Sequence, residues 1–418
     1  MINLRFLRYN VIMKRILISI VILIIGMTAY GQDMSYFKSE YMQADGTFAE
    51  RLGVLEAIRD SGIAVDAEFY HEALKYLLLR SVEISTTSER AIAERSVIIL
   101  CEGLGAAKYT EAAWDIWQAA ELFDVSGNAT DGNAMRAALI ALGQIDGKAL
   151  VPHIVQRLNE FNLTAIRNAE QRRRTQMAVL GCINALETLG DIRGFRPIFF
   201  ASLGPYDASV KETASNALPN IVEDPSAAII EIIVEPSSAP PVKLLVWREM
   251  PRSRMPDASK AKVAAAAMEI GWFFQTQNRN FQTNLRELRK AALDAIRLYG
   301  VADDSVYLNL EKSYSNNFIS NNPDFDEIAK TFNALTALST EPAVDLLHKF
   351  LREINGRRRS GPWGNKERQI YQWLTECIGK TGTTSQEVRF LLTTIQRNTI
   401  YTAQEREMAG NALKALGN

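Results

Sequence analysis

The stretch GCINALETLGDIRGFRPIFFASLG, residues 181–204, decides the fold. Apolar residues recur at three and four up to Leu189, the spacing of an amphipathic helix, and a Gly-Asp-Ile-Arg-Gly turn then leads into a second short helix with Pro197 near its start. The stretch predicts a helix pair, and the rest of the chain repeats its cadence. DGNAMRAALIALGQIDGKALVPHIVQRLNE, residues 131–160, has the same order: an Ala/Leu-rich helix, a Leu-Gly ending, a polar turn, a second helix.

Lined up this way, the turn falls at Gly105, Gly143, Gly190, Val222, Gly271, Gly300, Ser339, Gly379 and Gly417, and the last four positions are separated by 39, 40 and 38 residues. A period near 40 is that of helix-pair repeats. Glycine is expected at these positions as the residue that ends a helix at positive φ without steric cost. Strand signals are nearly absent. The β-branched run Ile229 to Val234 competes, but it fills a second-helix slot and is read as helical.

One such pair leaves too much apolar surface exposed to stand alone, so pairs must stack. The pattern resembles HEAT-like repeats of the short, lyase-type bacterial variety, on Ala185, Leu186, Leu189, Gly190, Asp191, Arg196 and Pro197, with further copies across most of residues 45–418. The resemblance implies an all-α fold, an α-solenoid of stacked antiparallel helix pairs of the armadillo-type superhelix, and a scaffold that binds other macromolecules. Longer intervals mark two insertions. One is a lengthened polar helix, TAIRNAEQRRRTQ; the other is a Pro-rich tract with Pro236, Pro240, Pro241, Pro251 and Pro256. The expected organisation is therefore a signal peptide over 1–31, a repeat array over 32–235, a Pro-rich connector over 236–258 and a second array over 259–418.

The N-terminal assignment rests on Lys14 and Arg15, an apolar run from Ile16 to Met27, and small residues at Ala29 and Gly31 before Gln32. Met13 is an alternative start. The apolar run is shorter than the roughly 20 residues of a spanning helix, and no basic stop-transfer cluster follows it. Export to the periplasm with cleavage after Gly31 is expected, the alternative being an inner-membrane anchor facing the periplasm. Cleavage removes Arg5, Arg8, Lys14 and Arg15 and leaves 43 basic residues against 48 acidic ones. A mildly acidic chain without a basic stripe gives no reason to expect nucleic acid as a partner or insertion into a membrane after cleavage. Cys101, Cys182 and Cys377 each fall in an apolar helical run, where a thiol is inert, and form no disulfide framework.

Catalytic motifs fail on inspection. IGKTGTT at 378–384 lacks the phosphate loop's first glycine, since Leu374 stands there; GLG at 103–105 has Lys108 in place of a third glycine; HEALK at 71–75 has Lys75 where a zinc-binding pair needs histidine. His71, His153 and His348 are isolated, and Asp303 and Asp304 fall at a turn, where aspartate caps the next helix. No enzyme activity, cofactor or metal site is expected.

Two basic clusters remain. Arg172, Arg173 and Arg174 lie on the polar helix and read as a solvated face balanced by Glu170. NGRRRSGPWGNK, residues 355–366, places Arg357, Arg358, Arg359 and Trp363 on a Gly/Pro-rich loop, where packing does not demand them, and these four are the candidate partner-binding residues. Trp114 and Trp117, and Trp272 with Phe273 and Phe274, read as core aromatics on helices. The expected function is that of an exported scaffold or adaptor for a protein partner in the bacterial cell envelope, the alternative being a periplasmic solenoid that binds glycan or peptidoglycan through aromatic residues.

Overall fold

Helices account for all the regular structure. The computed structural model describes residues 34–43, 47–126 and 130–417, and among these the chain forms twenty α-helices with no strand. The expected signal peptide lies outside the described residues. Ile229 to Val234 is helical, as the repeat cadence required.

The chain divides into two compact units between Ile221 and Val222. The first holds α1 (Met34–Gln43), α2 (Phe48–Ser61), α3 (Ala67–Leu79), α4 (Thr87–Ala106), α5 (Ala113–Leu122), α6 (Asn133–Gln144), α7 (Val151–Leu163), α8 (Ala169–Leu189), α9 (Phe195–Leu203) and α10 (Ala208–Ile221). The second holds α11 (Ser226–Val234), α12 (Pro240–Trp247), α13 (Asp257–Phe273), α14 (Arg279–Tyr299), α15 (Ser305–Ile319), α16 (Phe325–Leu338), α17 (Glu341–Arg359), α18 (Asn365–Lys380), α19 (Gln386–Arg397) and α20 (Ala403–Ala415).

Within the first unit each even helix packs on the odd helix before it and on the next even helix, so that α2, α4, α6, α8 and α10 form one row. In the second unit the even row is α12, α14, α16, α18 and α20, and α11, α13, α15, α17 and α19 form the odd row. The even row is held close by small residues. A β-carbon at Gly105 of α4 would lie 3.2 Å from the Cα of Ala141 in α6; one at Gly143 of α6 would lie 3.2 Å from the Cα of Ala185 in α8; one at Gly379 of α18 would lie 3.3 Å from the Cα of Ala412 in α20. The odd row of the first unit instead buries Phe69, Trp117, Phe161, Phe195 and Phe199.

This corrects the expected role of the repeated glycine. Gly190, Gly300 and Gly417 do take positive φ, as does Ser339. Gly105, Gly143, Gly271 and Gly379 do not; they lie inside their helices, and after Gly105, Gly143 and Gly379 a left-handed residue follows later, at Lys108, Asp146 and Gly382, with none after Gly271 before Gly300. At these four positions glycine is required by the approach of a neighbouring helix rather than by the turn.

The Pro-rich tract is not a free connector either. Pro240 and Pro241 open α12, where a missing N–H costs nothing, and the break between units falls earlier, at Ile221. Lys243 of α12 is fully buried and its Nζ donates to the carbonyls of Ile233 and Glu235 at 2.5 and 2.6 Å, satisfying the C-terminal end of α11. In the same unit, Arg289 of α14 meets Glu327 of α16 through two hydrogen bonds of 2.7 and 3.0 Å, donates to the Gly271 carbonyl at 2.9 Å, and lies 3.9 Å from the Trp272 ring.

Two outcomes follow. Gly379→Val should lower unfolding free energy by about 1–3 kcal/mol through overpacking against α20, read by urea denaturation. Asp191 accepts from the Arg193 N–H at 2.9 Å and pairs with its guanidinium, which holds the carboxyl below its ordinary value of 3.8. Asp191→Ala should therefore cost about 1 kcal/mol near neutral pH, with the gap to wild type full above 3.8 and shrinking as pH falls through the lowered folded value.

Candidate interaction surface

The cluster expected on a loop is largely interior. Helix α17 runs through Arg359, so Arg357 and Arg358 are helical rather than loop residues; the side chain of Arg359 lies outside the described residues. Arg358 is 8% exposed; one of its Nη atoms donates to the Ile400 carbonyl and its Nε lies 3.4 Å from the Glu405 carboxylate, itself buried. Trp363 is 3% exposed, donates to the Ile354 carbonyl at 3.0 Å, and packs against the rings of Tyr371 and Tyr401 at 4.6 and 5.6 Å. The chain turns back after α17 through Gly361, at φ 155°, and this returns the indole into the slot between α17, α18 and α20. Of the cluster, Arg357 stays exposed, 3.4 Å from Glu367 and with its guanidinium 4.0 Å from the Phe318 ring.

The aromatic groups do not gather on a surface. Among the six tryptophans Trp114 alone is exposed, with the His153 ring 5.3 Å away; Trp117, Trp247 and Trp363 are buried, and Trp272 is covered on one side by Arg289. Phe273 is exposed and Phe274 half-buried.

Among the described residues the titratable groups form no reactive constellation. All three thiols are buried and free, with burial pushing Cys182 up to about 12, far from the thiolate that reactivity requires. Among the described residues no group of three His, Cys, Asp or Glu side chains is placed to hold a metal ion. His71 is hydrogen-bonded to Asp115 at 2.6 Å. A groove of about 870 Å³ between α17 and α19 brings together Asp345, His348, Arg352 and Glu387, but burial lowers the His348 pKa despite Glu387 at 3.4 Å. The nearby Ser385 hydroxyl is engaged as the cap of α19. A second groove of about 450 Å³ lies between α18 and α20 on a floor of Gly379, Ala412 and Ala415.

The outer face of the even row in the first unit carries part-exposed aliphatic residues. The glycine contacts fix its register. A β-carbon at Gly132 would stand 3.1 Å from the Cβ of Met177, one at Gly181 would stand 3.0 Å from the Cα of Arg136, and Gly143 meets Ala185, so α6 and α8 run parallel with these residues side by side. On the side turned from the odd row, Ile98 of α4, Ala137 and Ile140 of α6, and Met177 and Leu180 of α8 are each part-exposed, forming a shallow aliphatic strip across three helices. Two arginines border it. Arg136 has no carboxylate partner among the described residues and its buried Nε makes no hydrogen bond; Arg173 is exposed near the N-terminal end of α8. Sequence reading missed this strip, although Ile98, Ile140 and Leu180 recur about forty residues apart, near the repeat period.

Trp363→Ala and Arg358→Ala should each destabilise the second unit by about 3–5 kcal/mol, through a large cavity and an abandoned buried Glu405 respectively. Arg357→Ala should stay within about 0.5 kcal/mol of wild type, all three being read by chemical denaturation.

No family model matches the chain, and no curated protein is similar to it. Among solved structures, one described as the crystal structure of an engineered protein aligns over 91% of this chain and 99% of its own, at 11% identity and a TM-score of 0.31, a likeness too loose to assign fold or function.

Proposed function

We propose that the chain is an exported, non-catalytic scaffold of the bacterial cell envelope, each of its units a HEAT-like α-solenoid of stacked helix pairs. The alternation of even and odd rows supports the stacked reading, as do the Ala-Leu-x-x-Leu-Gly segments whose glycines meet the next even helix. Small residues in one row and large aromatics in the other favour curvature toward the even row within the first unit. Export is supported by the basic, apolar and small-residue order of residues 14–31. Among the described residues no helix is long and apolar enough to cross a membrane.

The observation that carries the scaffold reading is the aliphatic strip on α4, α6 and α8. It offers a partner aliphatic side chains bordered by arginines, the composition of protein contact sites. Arg357 is a secondary contact on the second unit. The glycan reading retains one feature, the exposed Trp114 beside His153.

Capture of the full chain from crosslinked cells, run beside sedimentation with purified peptidoglycan, separates the two readings. The expected result is a recurrent envelope protein in the capture and no co-sedimentation. Co-sedimentation lost on Trp114→Ala, with no protein captured, would replace the scaffold by the glycan binder.

A further inference from the structure

Resting on the scaffold reading, we infer that the face of α4, α6 and α8 takes an acidic segment of a partner protein, its carboxylates on Arg136 and Arg173 and its aliphatic side chains on Ile98, Ile140, Met177 and Leu180.

The charges of this face are partly engaged, and two arginines near the N-terminal ends of α6 and α8 are left over. Arg95 is held by Glu56 at 2.6 Å, Arg172 faces Asp207 at 3.8 Å, and Glu94 lies 3.8 Å from Arg90. Arg136 and Arg173 have no such partner among the described residues. Arg136 borders the strip near the N-terminal end of α6, its backbone close against α8 at Gly181. Arg173 is exposed and Arg136 part-exposed, so a carboxylate brought to the Nη groups of either makes a charge-assisted hydrogen bond. Because α6 and α8 are parallel, the positive ends of their dipoles lie on the same edge as Arg136 and Arg173, adding to the preference for an anion there.

Aliphatic side chains select a protein segment over other anions. A phosphate backbone has nothing to place on Ile98, Ile140 and Leu180. A segment with carboxylates at one end and Leu or Ile beyond them matches both halves of the face.

The test uses the full chain and three fluorescein-labelled 15-residue peptides: acidic with leucine, basic with leucine, and acidic with serine, compared by anisotropy. The acidic–leucine peptide should bind about tenfold or more tightly than either control. Arg136→Glu with Arg173→Glu should lose that preference and gain affinity for the basic–leucine peptide, a reversal that misfolding does not produce; Arg173→Glu alone, at an exposed position, should give part of it. Equal binding of all three peptides, or a preference unchanged by the double variant, overturns the inference. A concentration-dependent dimer in light scattering that Ile140→Asp abolishes would assign the face to a second copy and overturn it as well. If cell capture returns an envelope protein still bound by the double variant, this face is wrong while the scaffold stands; if capture returns nothing specific, the scaffold reading itself fails.

Discussion

The structure depends on how closely one even helix approaches the next. At Gly105, Gly143 and Gly379 the neighbouring backbone leaves no room for a side chain larger than hydrogen without displacement. Close approach of backbones gives many weak dispersion contacts and leaves little space between helices, so it fixes register as well as distance. The odd row of the first unit is filled instead by Phe and Trp. In the first unit, part-exposed aliphatic positions of the even row fall on three successive helices.

Polar groups serve the interior of the second unit more than its surface. Lys243 ends α11 by accepting none and donating to two carbonyls, Arg289 joins α14 to α16 and to the end of α13, and Arg358 joins α17 to the segment before α20. Each is a cation taken out of water whose hydrogen bonds are specific to one arrangement of helices. Removing a partner from such a group is costly even where the group adds little net stability. Arg136 differs from these three in having no carboxylate or carbonyl partner at any of its nitrogens among the described residues.

The helical nature of the chain was legible in its apolar spacing, down to the β-branched run at 229–234, which lacks the turns that would isolate a strand. Repeated glycine was legible too, but its cause was not: a sequence shows that Gly143 follows a helix-like run, not that Ala185 will press on it. Gly-Pro composition around residue 361 suggested an exposed loop, whereas the same backbone freedom folds Trp363 inward. The strip on α4, α6 and α8 escaped notice because it exists only after three distant segments are placed side by side. No single helix carries more than two of its residues.

Hydrogen exchange of the full chain against Gly143→Val tests the central claim most directly. If close approach of even helices holds the stack together, protection should fall first and most in α6 and α8, and by less in α4 and α10, with the second unit unchanged. Uniform loss of protection over residues 47–221, or none at all, would contradict the account.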